Sequence, residues 1–203
     1  MVEPDDNDDL QLVARALRGS DAAWSALVDK YRIYAYRLAW RVTCNEDDSL
    51  DAAQETMIKL ATRLADFRAI GSLRSWIATI AIREATTICR RRSAAPLAMD
   101  PADISQMAEM AGTAADTTRG PGEHIDISWQ LERVQQAMSA VTPQQRAILL
   151  LAVENDMGPA EIARELNLPA NQVRSQQSRA IARLREILKS ETEESVRKVK
   201  SGS

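Results

Sequence analysis

Residues that carry chemistry are scarce in this chain. Its 203 residues include one histidine, His124, and two cysteines, Cys44 and Cys89, far apart and in no CxxC pair. Those three possible ligands fall short of the four that a structural zinc site uses, and no glycine-rich run is present to cradle a phosphate. No metal, cofactor or enzymatic centre is therefore expected. Two lone cysteines also exclude a disulfide framework and predict buried, reduced thiols. No apolar run reaches the roughly 18 residues of a membrane span, and Met1 to Leu10 is acidic and unlike a signal peptide. A soluble, cytoplasmic protein is the expectation. Aromatic residues are few as well, with one Phe, four Trp and three Tyr, so the core must be built mostly from Ala, Leu, Ile and Val. Glycine and proline are sparse inside the periodic segments, which points to an all-α fold.

The chain also lacks a basic excess. Its net charge is -3, a poor match to a nucleic-acid binder taken whole. The distribution is more telling, because DNA affinity follows the local field. Residues 1 to 10 hold Glu3, Asp5, Asp6, Asp8 and Asp9 and no base. Between Ala160 and Lys189 there are six bases (Arg164, Arg174, Arg179, Arg183, Arg185, Lys189) against three acids (Glu161, Glu165, Glu186). Arg90, Arg91 and Arg92 form a second basic cluster.

Periodicity divides the chain into two small helical domains joined by a flexible linker. Residues 1–9 read as an acidic disordered tail. Residues 10–92 read as an N-terminal domain of four helices: Leu10 to Leu17, Ser20 to about Val42, Leu50 to Leu64 and Leu73 to Arg92, with a polar break at Asn45 to Ser49 and a loop at Asp66 to Ser72. Residues 93–127 combine Pro96, Pro101, Pro121, Gly112, Gly120 and Gly122 with little periodicity and read as an acidic linker. A chain of that length spans roughly 30 Å as a coil and about 100 Å when stretched. Residues 128–190 read as a C-terminal helix-turn-helix domain, and 191–203 as a tail.

Pro143 to Lys189 is the most informative stretch. Thr142, Pro143 and Gln145 form a capping-box start. Gly158 and Pro159 begin a second helix with Glu161 in its first turn. Asn167-Leu168-Pro169 makes a short turn, with Leu168 pointing inward, into a last helix striped by Val173, Ala180, Leu184 and Leu188. Gln172, Arg174, Ser175, Gln176, Ser178 and Arg179 fall off that stripe. A polar, basic helix held by a tight turn has the shape and chemistry to enter the major groove, where Arg and Gln reach base edges bidentately. The competing reading is a three-helix bundle with a solvated face.

Together the two halves resemble the extracytoplasmic-function sigma factors, small two-domain promoter-recognition subunits of bacterial RNA polymerase. DAAQETMIKL (Asp51 to Leu60) resembles the family's DLVQEVFLRLW helix, keeping Asp51, Gln54 and Glu55. FRAIGSLRSWIATIA (Phe67 to Ala81) resembles FRGESSFRTWLYRIA, keeping Phe67, Arg68, Ser72, Arg74 and Trp76. The C-terminal half resembles LPPRQREALLL and YAEIAEILGLPVGTVKSRLHRARARLR, matching at Pro143, Gln145, Arg146, Ala160 to Ala163, Leu168, Pro169, Val173, Ser175 and Arg179. The resemblance covers about Leu10 to Lys189.

It implies roles residue by residue. Asp51, Gln54 and Glu55, with Ile58 and Lys59 beside them, would dock on the clamp coiled coil of core RNA polymerase. The loop Ala69, Ile70, Gly71, Ser72 would hold a flipped base of the minus-ten element, with Arg74, Arg83, Arg90 and Arg91 along the strand. Asn171, Gln172, Arg174, Ser175, Gln176, Ser178 and Arg179 would read the minus-thirty-five element. An anti-sigma factor is the implied inhibitor. Arginines closing a helix also complement its dipole, and Trp76 on an apolar face reads as core more readily than as a base stack. The chain departs from the family at Arg83 and Thr87, where an Asn and an Asp are usual. It departs again at Gln176, Gln177 and Ser178, where Arg, an apolar residue and His are usual, and at Gly158, which replaces a Ser cap.

Three other readings stand beside this one, of which a pure interaction protein, such as an anti-sigma partner, is opposed by the two basic helices. A stand-alone helix-turn-helix regulator would not need the Asp51 to Leu60 helix. An enzyme has little to work with.

Overall fold

The computed structural model describes residues 4–69, 71–94 and 140–201, with side chains described over 7–69, 71–94 and 140–189. Ile70, His124, positions 128–139 and all of the expected linker except Ser93 and Ala94 lie outside the described residues. Among those described, the elements are α1 (Pro4–Leu17), α2 (Asp21–Thr43), α3 (Glu46–Arg63), a 3-10 turn (Leu64–Asp66), α4 (Leu73–Ala94), α5 (Pro143–Glu154), α6 (Pro159–Leu166) and α7 (Ala170–Ser201).

Local chemistry sets most boundaries. The Ser20 side chain accepts the Ala23 N–H and starts α2, which ends at Cys44 in a left-handed conformation (φ 52°). The Asn45 side chain accepts the Asp48 N–H at 2.9 Å. That cap moves the start of α3 forward to Glu46. The stretch expected to be a polar break is therefore a helix start, with Glu46, Asp47 and Asp48 facing the positive end of the helix dipole. Ser49 is buried against Thr43, their hydroxyls 2.7 Å apart.

Both ends differ from expectation. Residues 1–9 were expected to be a disordered tail, yet α1 begins at Pro4. Asp9 is 2 % exposed and accepts hydrogen bonds from Lys30 Nζ at 2.8 Å and from the Tyr31 hydroxyl. Acids favour a helix N-terminus, and a cation on the next helix makes burial of one of them tolerable. At the other end α7 continues through the expected tail to Ser201.

Small residues govern the N-terminal packing. Ala35, Ala39, Ala52, Ala78, Ala81 and Ala85 are each fully buried, so α2, α3 and α4 approach with little side-chain bulk between them. Leu27, Leu60, Leu64, Leu73 and Ile77 fill the wider end, joined by Val13 and Ala16 of α1. The last three helices do not stand apart from this unit. Ala39, Val42, Ala52, Ile82 and Ala85 share one continuous core with Ala147, Ile148, Leu151, Ile162 and Val173. Helix α4 permits this because it is apolar on two sides: Leu73, Ile77, Ala78 and Ala81 serve the first unit, and Ile82, Ala85 and Ile88 face the second.

Candidate nucleic-acid interface

Helix α3 presents the first surface. Its inner face is Ala52, Ala53, Thr56 and Leu60, all buried. Leu50, Gln54 and Ile58, spaced i, i+4, i+8, form an outward stripe flanked by Asp51 and Glu55. Leu50 is 52 % exposed and Ile58 47 %, an apolar pair left in solvent between acids. Gln54, Asp51 and Glu55 are exposed as well. Four of the five expected docking residues thus share one accessible face. Lys59 differs: it is half-buried and paired with Glu84 of α4, so it braces two helices.

The second surface is the loop before α4 and the helix itself. Ala69 is exposed and left-handed, with φ 55°. For a residue with a Cβ this conformation costs about 1–2 kcal/mol. Strain of this kind marks a loop held in shape by its surroundings. Ser72 caps α4 by accepting the Ser75 N–H at 3.0 Å, and Gly71 is exposed. Trp76 is half-buried against Phe67, with ring centroids 5.7 Å apart, and so belongs to the core. Arg90 and Arg91 are exposed at the end of α4. Arg92 pairs with Asp48 at 3.0 Å.

Arg74 and Arg83 are exposed, but each is paired with a carboxylate of the last three helices. Arg74 lies over the Tyr34 ring, 3.9 Å from its centroid, and 3.9 Å from the Glu154 carboxylate of α5. Glu154 also receives Arg41 at 2.9 Å and the Tyr34 hydroxyl at 3.2 Å. Burial, reinforced by the Glu154 carboxylate, pushes the Tyr34 phenol up to about 12. Arg83 pairs with Glu165 of α6 at 3.3 Å. Beside them Asn155 Nδ2 donates to the Ser75 carbonyl at 2.7 Å and to Thr79 Oγ1 at 2.6 Å.

Arg146 closes the other end of this seam. It is 4 % exposed, and its Nε donates to the Val42 carbonyl at 2.7 Å while Nη1 donates to the Val141 carbonyl at 2.8 Å. Cys44 and Cys89 flank it, half-buried rather than fully buried as expected. Burial pushes both thiols up, and the Arg146 charge opposes that shift. The whole contact lay beyond sequence reasoning. Its partners are separated by up to 120 residues, and Arg146, Glu154 and Asn155 look like ordinary polar positions of α5 and its end. The one available signal was Arg146 at the head of the apolar run Ala147 to Val153.

The third surface is the helix-turn-helix. Thr142 accepts the Gln145 N–H and the Gln145 side chain accepts the Thr142 N–H, completing the expected box. At Gly158, which has no side chain, only the return bond from its N–H to Glu161 forms, at 2.9 Å. Asn167, at φ 53°, turns the chain from α6 toward α7. Ile148, Leu151, Ile162, Ala163, Leu166, Val173 and Ala180 are buried beneath. Asn171, Arg174, Ser175, Ser178 and Arg179 are exposed on the outer side of α7, and Gln172 is half-buried at their edge. Gln176 is held back, accepting from Gln145 Nε2 at 2.8 Å. Helix α7 therefore offers a row of donors and cations suited to base edges and phosphates.

This geometry has relatives. The chain matches the family model Sigma-70 region 2 over residues 27–95 and Sigma-70, region 4 over residues 131–184. It is 24% identical over 192 residues to the RNA polymerase sigma factor CnrH of Cupriavidus metallidurans, covering 95% of this chain and 100% of that protein. It is 25% identical over 185 residues to the ECF RNA polymerase sigma factor SigW of Bacillus subtilis, covering 87% and 95%. Among solved structures, CnrH in complex with the cytosolic domain of CnrY matches with a TM-score of 0.53 and 21% identity, over 90% of this chain and 97% of that one. The sigma factor RpoE of Bartonella quintana, in complex with the anti-sigma factor NepR, matches with a TM-score of 0.53 and 19% identity, over 81% and 96%. Region 2 falls on α2 to α4 and region 4 on the helix-turn-helix, the order that the sequence resemblance requires. The chain belongs to the extracytoplasmic-function sigma factors of bacterial RNA polymerase.

Proposed function

We propose that the three surfaces divide the work of a sigma factor, which binds core RNA polymerase and directs it to promoters. The outer stripe of α3 docks on the polymerase clamp through Leu50 and Ile58, with Asp51, Gln54 and Glu55 setting register and orientation. The strained loop around Ala69 and the arginines of α4 take the non-template strand of the minus-ten element. The exposed row from Asn171 to Arg179 reads the minus-thirty-five element. Lys59 is left out of the docking set because Glu84 already holds it. Catalysis remains with the polymerase.

The observation that carries this reading is the α3 stripe. An apolar pair in solvent, ringed by acids, suits a partner with an apolar groove and basic rim. The work is cytoplasmic, where the polymerase acts, and no described helix is long and apolar enough to cross a membrane. Two relatives of known structure are held by CnrY and by the anti-sigma factor NepR, and a protein inhibitor of that kind is proposed for this chain. Run-off transcription with core polymerase on a randomised promoter library tests the reading. Transcripts from a defined promoter class are expected, and none with either component alone. Tight, sequence-specific duplex binding by the free chain, without transcription when core is added, would point to a stand-alone regulator.

A further inference from the structure

Helix α7 is seated on its neighbours by an apolar stripe in which Val173 and Ala180 are fully buried. Burial of apolar surface is not directional, and side chains this small do little to stop a helix rolling about its axis. A roll of about 15° carries a side-chain tip at the helix edge through roughly 1.5 Å. A reading contact has to be held to within about 0.5 Å. Something directional must set the roll.

A hydrogen-bonded relay does so. The Thr142 N–H donates to Gln145 Oε1 at 3.0 Å, and the Gln145 backbone N–H donates to Thr142 Oγ1 at 3.3 Å, which fixes this side chain at the head of α5. A backbone N–H only donates, so Oε1 is the end it holds and Nε2 is the end left over. That Nε2 donates to Gln176 Oε1 at 2.8 Å, across 31 residues of sequence. The bond lands on the flank of α7 between Val173 and Ala180. Ser175 just before it and Arg179 one turn later are exposed on the reading side. Arginine, usual at position 176 in the family, has no acceptor and would receive no such bond. The relay is a property of this chain.

We propose that Gln145 and Gln176 are positioning residues for promoter reading: their bridge sets the roll of α7, and base selectivity at the minus-thirty-five element depends on it. The inference rests on the assignment of that element to α7 and goes beyond it, because neither residue touches a base in this role. Gln176 therefore leaves the reading row and serves the residues that remain in it.

The test is a cycle of carboxylate substitutions in the full chain. Each holoenzyme is assayed by competition among promoters that differ singly in the minus-thirty-five element of one identified by run-off transcription. Gln145→Glu keeps the acceptor for the Thr142 N–H, and Gln176 restores the bridge by turning its amide and donating to the new carboxylate. Gln176→Glu keeps the acceptor for Gln145 Nε2. The double variant has two carboxylates and no donor, so no bridge forms. Each added negative charge weakens duplex binding evenly, and an even loss cancels in the ratio of preferred to altered promoters. A lower folded fraction cancels in the same way. Both single variants are expected to keep the wild-type ratio within about twofold, and the double variant to lose about tenfold of it. A wild-type ratio in the double variant overturns the proposal, and so do losses in the single variants that account for the whole loss in the double. If the double variant loses its helical circular dichroism, Gln176→Met decides on the same criterion, with about a fivefold loss expected; it removes the acceptor and keeps the volume. If the wild-type holoenzyme itself ranks all the altered promoters alike, the assignment of the minus-thirty-five element to α7 fails, and this inference with it.

Discussion

Arg146 offers the sharpest test of what holds the two units together. Replacing it with methionine keeps most of the side-chain volume and removes every donor. The Val42 carbonyl, on α2, and the Val141 carbonyl, just before α5, then lose their bonds of 2.7 and 2.8 Å. Arg146 is 4 % exposed, so water does not easily replace it. A buried acceptor left unsatisfied costs about 1–3 kcal/mol, so the two together predict a loss of roughly 2–6 kcal/mol. For a domain of this size that lowers Tm by roughly 5–15 °C. Arg146→Lys keeps the charge and a single donor nitrogen, enough for one of the two carbonyls, and should lose less than half as much. Thermal unfolding followed by far-ultraviolet circular dichroism measures both. Because one of the two carbonyls belongs to the N-terminal unit, the methionine variant should also show a larger radius of gyration below its transition. A Tm within about 2 °C of wild type, with unchanged dimensions, would refute the view that this guanidinium ties the units together.

Other outcomes follow from the remaining surfaces. Asp51→Lys with Glu55→Lys should abolish co-purification with core polymerase while leaving helical circular dichroism unchanged, since both residues are exposed on α3; retained co-purification would remove α3 from the docking role. Arg174→Ala should lower transcription and relax one base pair of the minus-thirty-five element by ~1–3 kcal/mol, as read by promoter-variant competition. Arg179→Ala should weaken all sequences evenly, so identical sequence profiles for the two variants would contradict the division of labour. The Tyr34 phenol is raised from 10.0 to about 12 in the folded chain. A group raised on folding contributes stability that is full below its unfolded value and lost as pH climbs through its folded value. Stability should therefore fall between about pH 10 and 12, and Tyr34→Phe should flatten that part of the profile relative to wild type.

How much of this was legible in the sequence depended on distance along the chain. Features set by neighbours three or four residues apart were readable: the box at Thr142 and Gln145 and the turn at Asn167. Even locally, Asn45 was misjudged as part of a break, because an Asn before three acids reads equally as a turn or a cap. Asp9 was assigned to a tail because its partners, Lys30 and Tyr31, lie on another helix. Lys59 showed the same limit: its pairing with Glu84, 25 residues away, turned an expected docking residue into a brace. The seam was invisible for this reason too. A flexible linker predicts that two units can separate, and says nothing about whether their apolar faces fit when they meet.

The alanine layer between α2, α3 and α4 bears on how this protein can be redesigned. Ala35, Ala39, Ala52, Ala78, Ala81 and Ala85 leave no room for a larger side chain. Adding even a few methyl groups there forces helices apart, at about 1–3 kcal/mol per substitution. The scaffold is thus rigidly intolerant at its centre, whereas Arg174, Ser175, Ser178 and Arg179 project from a helix whose packing does not depend on them. Promoter preference can be rewritten there without touching the frame. A library confined to those four positions should keep nearly every member folded, while one of equal size aimed at the alanines should keep few.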